Sequence, residues 1–393
     1  MKAVTWQGKR DVTIDDVPDP IIKEPNDIVV RVTTTGICGS DLHLYEVLGP
    51  FMTPGDVLGH EAMGIVEEVG SEITHVRAGD RVVMPFQISC GHCYMCDTGL
   101  QTQCETTQVR EFNSGAALFG YSSLYGAVPG GQAEFLRVPQ AQNTAIKVPE
   151  GPSDERFVYL SDVLPTAWQG VEYAGIPDGG TVVVLGLGPI GDMATRIASY
   201  RGHRVIGVDL VPERLARVRA RGNEVLDIGA LGDGIGDAIR ELTDGRGPES
   251  VIDAVGMEAH GGRAGKFAHD AAGLLPDSLA RKVMQTAGTD RLAALRAAID
   301  IVRRGGTISL SGVYGGMADP LPMLVLFDKQ IQLRMGQANV QRWVPEILPL
   351  LTDDDPLGVD TFATHRVALK DAPRAYEKFQ MKQDGTVKVL IRP

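Results

Sequence analysis

The chain has 393 residues, enough for two domains, and carries 50 acidic against 38 basic residues for a formal charge of -12. That balance argues against nucleic acid or an anionic membrane as partner, since both require a basic face. No apolar run reaches the length of a membrane span, and Met1-Lys2-Ala3-Val4-Thr5-Trp6 lacks an apolar signal core, so a cytoplasmic location is expected.

From residue 1 to about 150 the chain is rich in Val, Gly, Pro and Asp, with short β-like runs such as Ile28–Val32 and Gly64–Val69. Gly70, Gly79-Asp80 and Pro85 punctuate these runs as turns, as in a compact, irregular β domain. Between two of the runs lies Gly36-Ile37-Cys38-Gly39-Ser40-Asp41-Leu42-His43, which sets a thiol, a hydroxyl and an imidazole within six residues. A Cys38 thiolate is a good zinc ligand, while Ser40 and His43 could pass a proton from a bound oxygen to water. Taken alone, the stretch reads first as a buried structural cysteine before a turn, and the later motifs reverse that. His60 in Gly59-His60-Glu61 is a second candidate ligand, with Glu61 beside it as an outer or alternate ligand.

Cys90, Cys93, Cys96 and Cys104 form C-x2-C-x2-C-x7-C, which can close a tetrahedral structural zinc site. An iron–sulfur cluster is the rival; its pattern has the fourth Cys four residues on, followed by Pro, whereas here it stands eight on, followed by Glu105. The five cysteines therefore fit metal binding better than a disulfide framework. Two ligands, Cys38 and His60, leave a catalytic zinc one short of the usual three. Asp162, where the β domain hands over to the next and can face an interdomain cleft, is the candidate third; an Asp at that place equally suits a helix N-cap.

Beyond Asp162 the pattern changes to alternating strand and helix. Thr181–Leu185 is a continuous apolar run, as a buried parallel strand requires; a helix over Asp192–Tyr200, a strand over Arg204–Asp209, a helix over Pro212–Arg221 and a strand over Ser250–Ala254 follow. Gly186-Leu187-Gly188-Pro189-Ile190-Gly191 is G-x-G-x-x-G between strand and helix, the setting in which backbone N–H groups meet a pyrophosphate. Asp209, ending the next strand, would accept from a ribose 2′-OH and repel a 2′-phosphate, so NAD is expected over NADP. Arg214 nearby is a further candidate at the cofactor, since an Arg can accommodate that phosphate; a solvated helix charge is its plainer reading. Residues 257–290 have no clear periodicity and are expected to form an insertion over the sheet edge. Leu292, Leu295, Ile299 and Val302 make a helical stripe, Thr307–Leu310 and Ile331–Met335 read as strands, and a helix over Trp343–Leu351 leads back to the first domain.

These motifs together resemble the zinc-dependent, medium-chain alcohol dehydrogenases over nearly the whole chain. Within that family Leu160-Ser161-Asp162-Val163-Leu164-Pro165-Thr166 and the segment after Asp253-Ala254-Val255-Gly256 resemble the glutathione-independent formaldehyde dehydrogenase branch. The resemblance implies an α/β chain: a GroES-like catalytic β domain over 1–163, completed by 337–393, and a Rossmann doubly wound parallel-sheet domain over 164–336. It implies Cys38, His60 and Asp162 on the catalytic zinc with Glu61 beside them, where many relatives carry Cys at the Asp162 position. It further implies Ser40 and His43 as proton relay, Phe86 in the substrate pocket, Thr166 against the nicotinamide and Lys388 on the pyrophosphate. The implied activity is zinc- and NAD-dependent hydride transfer from a small alcohol or aldehyde hydrate. The alternatives are an aldehyde dismutase with tightly held NAD, a polyol or sugar dehydrogenase, and a non-catalytic NAD-binding protein. A homotetramer or homodimer is the implied assembly.

Overall fold

The computed structural model describes residues 1–256, 292–314, 320–351 and 354–393. The chain divides into two compact units, Met1–Pro165 with Ala338–Pro393, and Thr166–Gln337. The first begins with an antiparallel ribbon of β1 (Lys2–Gly8) and β2 (Asp11–Asp16). Strand β3 (Ile28–Ile37) follows and is the spine of the unit. It runs past the strand expected at Ile28–Val32 because Thr33, Thr34 and Thr35 are β-branched and continue the pleat. Cys38 comes directly after it and caps helix α1 (Gly39–Glu46). Strands β4 (Ala62–Val69), β5 (Arg81–Met84), β6 (Phe135–Val138) and β7 (Ile146–Lys147) complete this part. Both β4 and β6 run antiparallel to β3, β6 along its first four residues. Ile28, Val30 and Val32 alternate inward to meet Val66, Val82, Met84 and Leu136 in one buried cluster.

Helix α2 (Val163–Ala174) carries the chain into the second unit. There β8 (Thr181–Leu185), α3 (Pro189–Tyr200), β9 (Arg204–Asp209), α4 (Pro212–Arg219), β10 (Glu224–Asp227), α5 (Ile235–Leu242) and β11 (Ser250–Asp253) alternate. After them come α6 (Ala293–Ile301), β12 (Thr307–Leu310), α7 (Met323–Lys329) and β13 (Gln332–Met335). The expected insertion over 257–290 lies outside the described residues. All five strand pairs are parallel, in the order β10-β9-β8-β11-β12-β13. This is a doubly wound Rossmann sheet, whose order reverses between β8 and β11; ligands bind such sheets outside the carboxyl ends of the strands at that point. Val182, Val183 and Val184 are fully buried, as strands covered on both faces must be.

The return to the first unit passes through α8 (Val340–Ile347), β14 (His365–Ala368), α9 (Ala372–Gln380) and β15 (Val389–Arg392). The α-helix ends at Ile347, before the expected Leu351, and a 3-10 turn over Leu348–Leu350 replaces its end. Pro349 in that turn has no N–H to donate to another α-helical bond. Strand β15 lies antiparallel against Thr35–Ile37, giving the order β14-β15-β3-β4-β5-β7. The last residues of the chain thus support the strand that presents Cys38.

Candidate metal centre and dinucleotide turn

Two groups of ligand-type side chains lie in the first unit. In the first, Sγ of Cys90, Cys93, Cys96 and Cys104 are all within 4.8 Å of one another. Backbone N–H groups already serve these sulfurs: Cys90 N–H points at Cys104 Sγ (3.3 Å) and Glu105 N–H at Cys93 Sγ (3.4 Å). Burial works against a Cys104 thiolate, but N–H groups including that of Cys90 outweigh it and bring its pKa down to about 6. Four close sulfurs, one already favouring the thiolate, fit a structural zinc. His92 is exposed beside them, with Nδ1 3.0 Å from Cys90 O.

The second group joins Cys38, His60, Glu61 and Asp162, all buried, with one ligand atom of each within 4.8 Å of the others. Asp162 Oδ2 is 3.2 Å from Cys38 Sγ and 3.3 Å from His60 Nε2, so its carboxylate faces the ligands. Burial, then the nearby Asp162 and Glu61 carboxylates, pushes the Cys38 thiol up to about 11. Burial alone would lower the His60 pKa, but Asp41 and Asp162 carry it well above its ordinary value. A thiol and two carboxylates crowded around an imidazole, with Glu61 Oε1 left without a hydrogen-bond partner, fit a divalent cation that supplies the missing positive charge.

Around this group the structure places the other expected residues. Ser40 Oγ is 3.2 Å from His60 Nε2. His43 lies one turn along α1 from Ser40, a spacing that puts both on one helix face. Phe86 is buried and meets the His60 ring edge-on at 6.5 Å. Tyr121, which the sequence reading had not singled out, meets it similarly at 6.3 Å. Lys388, the expected pyrophosphate contact, stands beside this group. It is fully buried, its ammonium paired with Glu61 Oε2 and bonded to Ile37 O at 3.2 Å. The reason is electrostatic: a buried Glu61 carboxylate needs a counter-charge, and β15 delivers one.

Asp41 is the functional candidate that the sequence reading missed. It is fully buried, accepts Cys38 N–H at 2.9 Å, and holds Oδ1 3.1 Å from His60 Nδ1. A carboxylate on the far nitrogen of a ligating His fixes the ring and its tautomer. The signal was present: Cys38 and Asp41 form a reciprocal capping box at the start of α1.

The cofactor candidates Thr166, Gly186, Gly188, Pro189, Ile190, Gly191, Asp209 and Arg214 all belong to the second unit. Gly188 caps α3 and Pro189 opens it. A Cβ at Gly191 would lie 1.7 Å from Gly186 O, so the turn can close only on glycine. Asp209 Oδ2 accepts Leu187 N–H at 2.6 Å, and Oδ1 accepts the N–H groups of Leu210 and Val211 at 2.7 and 2.8 Å. Its carboxylate therefore braces the glycine turn as well as ending β9. Arg214 reaches to 3.9 Å from Asp209 Oδ2 and has little exposure.

Residues 24–150 match the alcohol dehydrogenase GroES-like domain model, and 189–264 the zinc-binding dehydrogenase model. Over 399 residues the chain is 40% identical to the uncharacterized zinc-type alcohol dehydrogenase-like protein AdhB of Bacillus subtilis, covering 100% of both. It is 30% identical to the formaldehyde dismutase of Pseudomonas putida over 100% of this chain and 97% of that one. Among solved structures, alcohol dehydrogenase TADH from Thermus sp. ATN1 superposes with a TM-score of 0.81 at 33% identity, covering 100% of this chain and 99% of TADH. The chain belongs to the zinc-type alcohol dehydrogenases of the medium-chain family. It is accordingly an oxidoreductase of that class, with zinc as its metal.

Proposed function

We propose that the enzyme oxidises a small alcohol, or the hydrate of a small aldehyde, with NAD as hydride acceptor. The carrying observation is the buried convergence of Cys38, His60, Glu61 and Asp162 with Ser40 on the same imidazole. In this reading Cys38, His60 and Asp162 hold the catalytic zinc, and Cys90, Cys93, Cys96 and Cys104 hold the structural one. Bound zinc supplies Lewis acidity toward the substrate oxygen, and NAD supplies the hydride acceptor. Ser40 takes the substrate hydroxyl proton and His43 hands it on toward water. Phe86 and Tyr121 wall the His60 side with aromatic rings and favour a small substrate. The glycine turn and Asp209 bind the dinucleotide, with Thr166 and Arg214 as further contacts. The GroES-like unit is taken as catalytic and the Rossmann unit as dinucleotide-binding.

The test is a panel of short and long alcohols and aldehydes read by NADH absorbance, run on wild type and Asp162→Asn with zinc analysis. NADH formation with short substrates and two zincs per chain is expected, and Asp162→Asn should lose turnover together with one zinc. Full turnover and both zincs in that variant would remove Asp162 and leave Glu61 as ligand. The dismutase relative favours a second reading, in which NAD stays bound and cycles between two aldehyde molecules. Aldehyde consumption without added NAD would select it.

Among the described residues no helix is long and apolar enough to cross a membrane. We place the enzyme in the cytoplasm, where free thiols persist; all five cysteines are unbridged. Self-association is proposed through the second unit, where Met323, Leu324, Val325 and Phe327 are exposed beside edge strand β13.

A further inference from the structure

A buried line of polar contacts runs from α9 to the metal-site histidine: hydrogen bonds as far as Asp41, then a 3.1 Å ion-pair contact. Tyr376 is fully buried, and its hydroxyl donates to Gln132 Oε1 at 2.8 Å. Gln132, also fully buried, turns its amide nitrogen to Gly36 O at 2.9 Å and to Asp41 Oδ2 at 3.4 Å. Asp41 in turn accepts Cys38 N–H through Oδ2 and sets Oδ1 3.1 Å from His60 Nδ1. The neighbours dictate the amide orientation. Gly36 O can only accept, so the NH2 faces it and the neighbouring Asp41 Oδ2, and Oε1 is left to Tyr376. Burial, reinforced by the Asp41 charge, holds the Tyr376 phenol well above its ordinary range, so the hydroxyl remains a donor.

The stem of Gln132 is fixed independently. Its N–H donates to Leu58 O at 3.0 Å, and its C=O accepts Val4 N–H at 2.8 Å. Its side chain lies over Gly59, where φ is +99° and an added Cβ would sit 2.4 Å from Gln132 Cγ. Gly59 immediately precedes His60, so the same residue presses on the ligand's backbone and supports its carboxylate partner.

We propose that Tyr376 and Gln132 are positioning residues for the catalytic zinc: they hold Asp41 in one orientation and, through it, the His60 ring and the Cys38 backbone. This rests on the reading that Cys38, His60 and Asp162 bind zinc. The competing role for Tyr376 is core filling, since its ring packs 5.5 Å from that of Tyr45. Tyr376→Phe separates the two, because it keeps the ring and removes the hydroxyl. Gln132 Oε1 then loses its donor, and the amide that donates to Asp41 is no longer held from the α9 side. Gln132→Met keeps the stem length and removes both polar ends.

The experiment follows zinc release from the full-length, zinc-loaded enzyme to a chromogenic chelator, with the Cys90–Cys104 site as internal reference. Cobalt(II)-substituted protein gives a second readout, the visible spectrum of the Cys38 site. Direct outer-shell partners typically govern about 10–100-fold in metal affinity. One bond further out, Tyr376→Phe should speed release from the Cys38 site about 3–10-fold, and Gln132→Met about tenfold or more. The reference site should release zinc as in wild type, and the cobalt spectrum should shift. Wild-type release and an unchanged spectrum in both variants overturn the proposal. Equal acceleration at both sites also overturns it, since that is general loosening. A wild-type chain without zinc at Cys38 would instead overturn the proposed function.

Discussion

Replacing Asp41 by Asn changes one oxygen to an NH2 at a place where three donors converge. Cys38 N–H reaches Asp41 Oδ2 at 2.9 Å, the Gln132 amide reaches it at 3.4 Å, and His60 Nδ1 faces Oδ1 at 3.1 Å. Asn can keep its oxygen toward Cys38 N–H and so preserve the start of α1. Its NH2 then confronts His60 Nδ1, which must carry a proton if Nε2 is to ligate zinc. A buried donor left without an acceptor costs about 1–3 kcal/mol. At about 1.4 kcal/mol per decade, zinc affinity at the Cys38 site should fall roughly 5–140-fold. Competition with a graded series of chelators measures this, and zinc at the four-cysteine site serves as the standard. Zinc binding at the Cys38 site within about threefold of wild type would refute the reasoning, because an outer-shell carboxylate should matter by more.

Cys104→Ser should cost one zinc per chain by elemental analysis and lower Tm by several degrees, while turnover per folded molecule persists, because the closed site contributes to folding. Loss of turnover at unchanged Tm would contradict this. Asp209→Gly should reduce the NAD-over-NADP ratio of kcat/KM by about tenfold or more, since it removes both the carboxylate proposed to meet the ribose and a brace of the glycine turn. Equal use of NADP by the wild type would show that Asp209 does not select. Asp192, fully buried on α3, ties Arg196, Arg217 and Arg221 together, at 2.9, 3.3 and 2.6 Å. Asp192→Leu removes the carboxylate that joins buried Arg196 to the partly exposed Arg217 and Arg221 and should cost about 3–5 kcal/mol in urea unfolding. Burial opposes the Asp192 charge, but Arg196, Arg221 and Arg217 outweigh it and lower the pKa. The stabilisation is thus complete above the unfolded value of about 3.9 and is lost as pH falls through the lower folded value. A wild-type advantage that persists unchanged through that acid window would refute the assignment.

The Rossmann unit was legible because its strands are short apolar runs with glycine between strand and helix. Thr307–Leu310 is a strand at the expected bounds, and Ser250–Asp253 ends one residue before the expected Ala254. The metal-ligand types were legible from chemistry and spacing, since few residue sets repeat C-x2-C-x2-C. What spacing could not reveal is which charges the fold buries together. Lys388 is 327 positions from Glu61 and Tyr376 244 from Gln132, and no local period links such pairs. Asp41 was missed for the opposite reason: three residues from Cys38, it looked like ordinary helix-start chemistry, although its carboxylate serves both the cap and His60.

That the first unit is built from two stretches far apart in sequence, Met1–Pro165 and Ala338–Pro393, bears on the order in which the two metal sites can mature. Cys90, Cys93, Cys96 and Cys104 leave the ribosome within one short stretch, and a closed site of this kind can form on a nascent chain. The Cys38 site cannot be finished then. Glu61 stays without its counter-charge, and Thr35–Ile37 without their neighbouring strand, until Lys388 and β15 have been synthesised. On the zinc assignment proposed above, the Cys38 site is therefore completed later than the four-cysteine site. Ribosome-stalled chains ending before Thr386 should take up one zinc, and retention of two would contradict that order.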